Sequence, residues 1–169
     1  MKHNKRHYPH RWLAAMQTSY NGWPASKDQD EIGIKAYKVE GTHIKLRCAE
    51  KVAPLLIGFA TEFNNLIEPL DAGADDWGYC YRMVRGTTDK LSNHSSGTAI
   101  DLNASKHILG KIGTFEAGKI PMIRALAKKY GLTWGGDYKN RKDEMHFEIS
   151  IGPAKVAELV NKLGLEKSK

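Results

Sequence analysis

Between Val52 and Leu66 the apolar residues Val52, Leu55, Leu56, Phe59, Phe63 and Leu66 return at helical spacing. A stripe of this kind must bury itself against another layer, so it sets one wall of a core. Ile120, Ile123, Leu126, Ala127 and Tyr130 predict a second helix, which Gly131 would end as its C′ residue. A third starts at Pro153, suited to a first helical position, and runs through Val156, Leu159, Val160 and Leu163. Leu13–Tyr20 reads as a short helix, and NGWPAS at 21–26 as a turn broken by Gly22 and Pro24.

Between the helices lie strand signals. THIKLR at 42–47 alternates Ile44 and Leu46 with polar residues, and Tyr79–Val84, Thr98–Asn103 and Met145–Ile149 also read as strands. Within Thr98–Asn103, Ala99, Asp101 and Asn103 share one face, and Ile100 and Leu102 the other. RGTTDKLSNHSSG and TWGGDYKNRKDE read as loops. Strands scattered among helices without a βαβ rhythm predict an α+β fold, a small mainly antiparallel sheet flanked by helices. The 169 residues fit one domain. The expected division is a basic, partly flexible segment at 1–20, the domain at 21–165 and a tail at 166–169.

A formal charge of +7 favours polyanionic partners, which include nucleic acid, anionic wall polymers and anionic lipids. Much of the excess sits near the ends, as in MKHNKRHYPHR at 1–11, where a solvated tail explains it equally well. No nucleic-acid motif is present, and the aromatic residues do not interleave with basic ones on one element, so no specific nucleic-acid binding is expected. Cys48 and Cys80 have no close Cys partner and read as buried free thiols. The basic start lacks the apolar stretch of a secretory signal, and no window approaches a membrane span. The expectation is a monomer made in the cytoplasm that leaves by another route.

Two segments concentrate metal-competent side chains beside strands: Ser92–Asp101, SNHSSGTAID, and Asp143–Glu148, DEMHFE. A catalytic zinc commonly takes three ligands from His and Asp/Glu and leaves one position for water. His94, Asp101 and His146 supply such a set. Small residues at Ser95, Ser96, Gly97 and Ala99 would let the chain fold closely around an ion. A His–Asp pair alone is more often a structural hydrogen-bonded pair than a metal site, and it is His146 that makes the set complete. His107 reads as an exposed loop histidine. Ser92 is either a turn residue or a ligand-orienting one, and WGGD either shapes a groove or forms a tight turn around a packed indole.

The joint pattern S-x-H-x-x-G-x-A-x-D, then WGGD, then D-x-M-H-F-E resembles the VanY-type D-alanyl-D-alanine carboxypeptidase family. That family includes phage endolysins acting as L-alanyl-D-glutamate peptidases. It belongs to a wider zinc group with the lysostaphin-type peptidases and the Hedgehog signalling domain. The resemblance runs over residues 50–151 and implies a Hedgehog/D-Ala-D-Ala-peptidase-like zinc scaffold. It implies that His94, Asp101 and His146 bind Zn2+ and that Asp143 is the general base, with neighbouring Glu144 as the alternative. Tyr79-Cys80-Tyr81-Arg82 resembles the family's Y-x-Y-R setting, which makes Arg82 the oxyanion-stabilising residue.

The implied activity is hydrolysis of a stem-peptide bond of bacterial peptidoglycan, L-Ala–D-Glu as in an endolysin, or D-Ala–D-Ala as in the carboxypeptidases. The enzyme would reach the cell wall through a holin-type pore or on lysis. A reading of another class is a non-catalytic zinc-binding interaction domain, as the Hedgehog relatives illustrate. Such a domain would have no need of Asp143 and Arg82.

Overall fold

The computed structural model describes residues 16–70 and 74–166. Its regular elements are β1 (Ile34–Lys38), β2 (Lys45–Ala49), α1 (Ala53–Leu66), β3 (Ala99–Asp101), α2 (Ile120–Lys129), β4 (Leu132–Trp134), β5 (His146–Ile149) and α3 (Pro153–Lys162). β1 and β2 form an antiparallel hairpin, and a second antiparallel sheet runs β3-β5-β4. This is the α+β arrangement expected from the sequence. No helix of the described residues is long and apolar enough to cross a membrane.

Each helix carries a proline in its first turn, where the missing N–H is no loss. α2 ends through Tyr130 and Gly131, and Gly131 takes the left-handed φ of 69° expected of a C′ glycine. α1 buries Ala53, Leu55, Leu56, Phe59, Ala60 and Phe63. Leu66, counted in its stripe, instead turns outward and is 47% exposed.

The buried face of α1 packs on the β3-β5-β4 sheet through Phe147. The Phe147 ring lies 4.5 Å from Phe59 and 5.8 Å from Phe63, centroid to centroid. Across the sheet Ile100, Phe147 and Trp134 stand in register, as do Ile149 and Leu132. All five are buried and line the core face. Strand alternation then turns Asp101, His146 and Glu148 to the opposite face.

Several local expectations fail where pairing is set by distant residues. Residues 16–20 are not helical: Thr18 bridges Pro24, while 13–15, like most of the basic N-terminal segment, lie outside the described residues. Tyr79–Val84 is extended but not a regular strand. Its backbone bonds scatter to Arg47, His94, Ser95 and Lys90 instead of one neighbour. β1 was not foreseen, because Ile34 is its one buried side chain, and β4 lies partly in a stretch read as loop. Cys48 is buried as expected, with burial pushing its thiol up to about 12, but Cys80 is exposed.

His107 also departs from expectation. It is buried, stacked on Phe115 at 3.7 Å, and bonded through Nε2 to Glu68 at 2.6 Å and through Nδ1 to Thr114 at 2.7 Å. The partners named here come from two separate segments, Glu68 and Thr114–Phe115, which local sequence cannot announce. Phe147 is the residue that joins helix and sheet, so Phe147→Ala should cost about 3–5 kcal/mol, read from the urea midpoint at unchanged slope.

Candidate metal centre

Asp101 on β3 stands directly opposite His146 on β5. On its other side Asp101 exchanges both backbone hydrogen bonds with Trp77, at 2.8 and 2.9 Å. Asp101 and His146 therefore form the non-hydrogen-bonded kind of antiparallel pair, in which side chains approach most closely. His94 arrives from a 3-10 turn over Asn93–Ser96, where the Ser92 hydroxyl accepts its N–H at 3.3 Å. Ser92 is thus a turn-capping residue. Gly97 ends the turn at φ 66°, and a Cβ there would lie 2.3 Å from Ile34 Cδ1.

The three side chains converge. His94 Nε2 lies 3.2 Å from His146 Nδ1 and 3.2 Å from Asp101 Oδ2, and His146 Nδ1 lies 2.9 Å from Asp101 Oδ1. A tetrahedral ion with bonds of about 2.0–2.1 Å would hold neighbouring donor atoms about 3.3 Å apart. All three residues are buried, and their donor atoms form the one group of this kind among the described residues.

The outer contacts fix the tautomers. His94 Nδ1 is 2.7 Å from the Gly78 carbonyl, which can only accept, so Nδ1 carries the hydrogen and Nε2 keeps its lone pair. His146 Nε2 is 2.9 Å from Glu148 Oε2, so Nε2 donates and Nδ1 keeps its lone pair. Two lone pairs and a carboxylate then meet at one point, an arrangement that needs a cation or a shared proton. Such outer-shell partners orient ligands and raise their basicity.

Without a metal, the electrostatics favour the shared proton. Burial disfavours the Asp101 charge, yet the two imidazoles hold its carboxyl well below the usual range. Burial likewise opposes charge on His146, but hydrogen bonds to Asp101 and Glu148 outweigh it and push the ring up to about 10. Glu148 also accepts from Asn93 Nδ2 at 2.5 Å and from Tyr138. Neither Glu148 nor Asn93 was assigned a role from sequence. Strand alternation could have flagged Glu148, since it lies two residues past His146 and must share its face.

Asp143 borders this group. Its Oδ1 is buried with no hydrogen-bond partner, and burial raises its carboxyl above the ordinary range despite the pull of His146, His94 and Arg82. Its backbone N–H donates to Gly135 O at 3.0 Å, a contact so close that a Cβ on Gly135 would meet Asp143 O at 2.2 Å. WGGD is thus a tight turn, with the Trp134 indole packed and donating to Glu144 O at 2.9 Å.

Glu144 is removed as an alternative base. Its carboxylate accepts the N–H groups of Gly113 and Thr114 and the Thr114 hydroxyl, which ties it to another loop. Arg82 is half-buried, and its guanidinium donates to Met83 O at 3.4 Å, not to the cluster.

Two outcomes follow from the wiring. Glu148→Gln should weaken metal binding about 10–100-fold in chelator competition. The folded pKa of His146 lies above its unfolded value of about 6.5, so in metal-free protein its stabilising contribution is complete below pH 6.5 and fades as pH rises toward 10. Metal binding requires the deprotonated ring and strengthens over the same range. The Tm gap between metal-loaded and chelated protein should therefore widen with pH, and a constant gap would contradict this wiring.

Residues 85–149 match the family model described as D-alanyl-D-alanine carboxypeptidase. No curated protein and no solved structure gives a significant match to the chain. The matched segment holds His94, Asp101, Asp143, His146 and Glu148, while Trp77, Gly78 and Arg82 fall before it. The convergent cluster lies inside the segment that is similar to the D-alanyl-D-alanine carboxypeptidase family, VanY-like in description, and the likeness supports a peptidase.

Proposed function

We propose that this chain is a zinc-dependent peptidase that hydrolyses the L-Ala–D-Glu bond in the stem peptide of bacterial peptidoglycan, acting at the cell wall as an endolysin does. The observation that carries the reading is the pairing of two features. Three buried donor atoms converge at tetrahedral spacing, and beside them the buried Asp143 Oδ1 has no partner.

His94 Nε2, His146 Nδ1 and an Asp101 oxygen would hold the ion. Zinc there supplies Lewis acidity, bringing the pKa of water toward about 7 and polarising the scissile carbonyl. Asp143 accepts the proton of the attacking water and passes it to the leaving amine. Its unpaired oxygen is free for that exchange, and its burial, which raises the carboxyl pKa, makes it a better proton acceptor. Arg82 stabilises negative charge on the former carbonyl oxygen, a role that requires its head to turn from Met83 O toward the substrate.

The family description favours a second reading, D-Ala–D-Ala carboxypeptidase activity, on the same ligands and base. A non-catalytic zinc domain is disfavoured, because a buried unpaired carboxylate oxygen is costly unless it has work to do.

Zymography on wall-embedded gels should give a clearing band that chelator abolishes and zinc restores. Mass spectrometry of the digest then separates the two activities: an endopeptidase frees the stem from its first alanine, and a carboxypeptidase releases terminal D-Ala. Asp143→Ala should keep stoichiometric zinc yet lose about 10²–10⁴ in kcat, and near-native turnover would reject it as the base. Arg82→Ala should lower kcat about 10²–10³-fold with zinc content unchanged.

A further inference from the structure

Trp77, Asp101 and His146 occupy one row across three adjacent chain segments. Trp77 and Asp101 are joined by reciprocal backbone hydrogen bonds, and Asp101 faces His146 across β3 and β5. Residues directly opposite each other in antiparallel pairs project to the same side. The Trp77 side chain therefore leaves the backbone on the face that carries the metal ligands, with its Cα about 5.5 Å from that of Asp101. The next residue, Gly78, holds His94 through its carbonyl, so the backbone beneath the indole is fixed by the centre itself.

Trp77 is 49% exposed, and no ring contact or side-chain hydrogen bond engages its indole among the described residues. The other tryptophans of the described residues, Trp23 and Trp134, are buried and donate to backbone carbonyls. Of the tryptophans among the described residues, Trp77 is the one that presents a wide, half-exposed apolar disc at the border of the candidate metal centre.

We propose that Trp77 is the platform for the saccharide that carries the stem peptide, stacking its indole on the apolar C–H face of the muramyl ring. This rests on the L-Ala–D-Glu reading. In that substrate the carbonyl under attack belongs to L-Ala, whose amine is joined directly to the lactyl group of the sugar. One residue spans about 3.3–3.6 Å, so the sugar lies next to the ion, within reach of the indole. L-Ala offers only a methyl and D-Glu a carboxylate, and neither matches a flat aromatic surface. With the scissile bond at D-Ala–D-Ala, several more residues would separate sugar and ion and carry the ring past Trp77.

The test compares N-acetylmuramyl-L-alanine with N-acetyl-L-alanine by calorimetric titration into the zinc-loaded protein. Stacking should make the sugar-bearing ligand about three- to tenfold tighter for the parent chain. Trp77→Ala should bring the ratio of the two affinities close to one, and Trp77→Phe should keep part of it. Zinc content measured on each variant checks the centre; should Trp77→Ala lose zinc, the Trp77→Phe ratio decides. A parent ratio near one, an unchanged ratio in Trp77→Ala, or an equal loss for both ligands would overturn the platform.

Cleavage of N-acetylmuramyl-L-Ala–D-Glu by the parent, followed separately, tests the bond assignment. Failure there with a sugar-dependent ratio that vanishes in Trp77→Ala would leave the platform standing and remove the endopeptidase reading.

Discussion

The parity of β5 constrains everything else. Phe147 and Ile149 must face α1, because Phe59 and Phe63 leave them no other place to be buried. Once those two point inward, His146 and Glu148 point the other way. A slip of one residue would turn an imidazole and a carboxylate into an aromatic core and push Phe147 into the polar cluster. The hydrophobic register and the ligand geometry are thus one constraint, enforced by the stronger of the two. Aromatic burial fixes the strand, and the site inherits its position.

Polar contacts then build outward from the ligands. His146 leans on Glu148, Glu148 on Asn93, and Asn93 Oδ1 accepts the backbone N–H of Asn21 at 2.8 Å. Asn21 in turn donates through Nδ2 to Thr98 and to the Ile149 carbonyl. The turn at 19–23 is thereby part of the candidate metal centre's support, although its residues lie far from His94, Asp101 and His146 in sequence. A buried chain of this kind is favourable only when every member is satisfied, and here each link has a named donor and acceptor.

What the sequence disclosed and what it withheld divide along the same physical line. The α1 stripe, the α2 ending at Gly131 and the Pro153 start are local patterns, and each was readable. The grouping of His94, Asp101 and His146 was readable because metal-competent residue types are few and crowd beside strand signals. Residues 79–84 misled because an alternating segment implies extended chain but says nothing of its partners, which turned out to be Arg47 on β2 and the irregular 90–95 stretch. His107 and Glu144 misled for a related reason: each is tied down by a hydrogen bond to a residue 30 or more positions away. Asp143 owed its selection to family resemblance, and its unpaired oxygen became visible only in three dimensions.

The close approach of Gly135 and Asp143 has an evolutionary corollary. Their hydrogen bond closes the stretch between them into a lariat pinned at its neck. Lys139, Asn140 and Arg141 on its rim are exposed, while the hydrogen bond at the neck holds the backbone of Asp143. Sequence drift, insertion or recombination along that rim can retune what the protein touches while the neck keeps the carboxylate aimed. Sequence differences among relatives are therefore expected to accumulate in this rim and to spare both ends of the clasp.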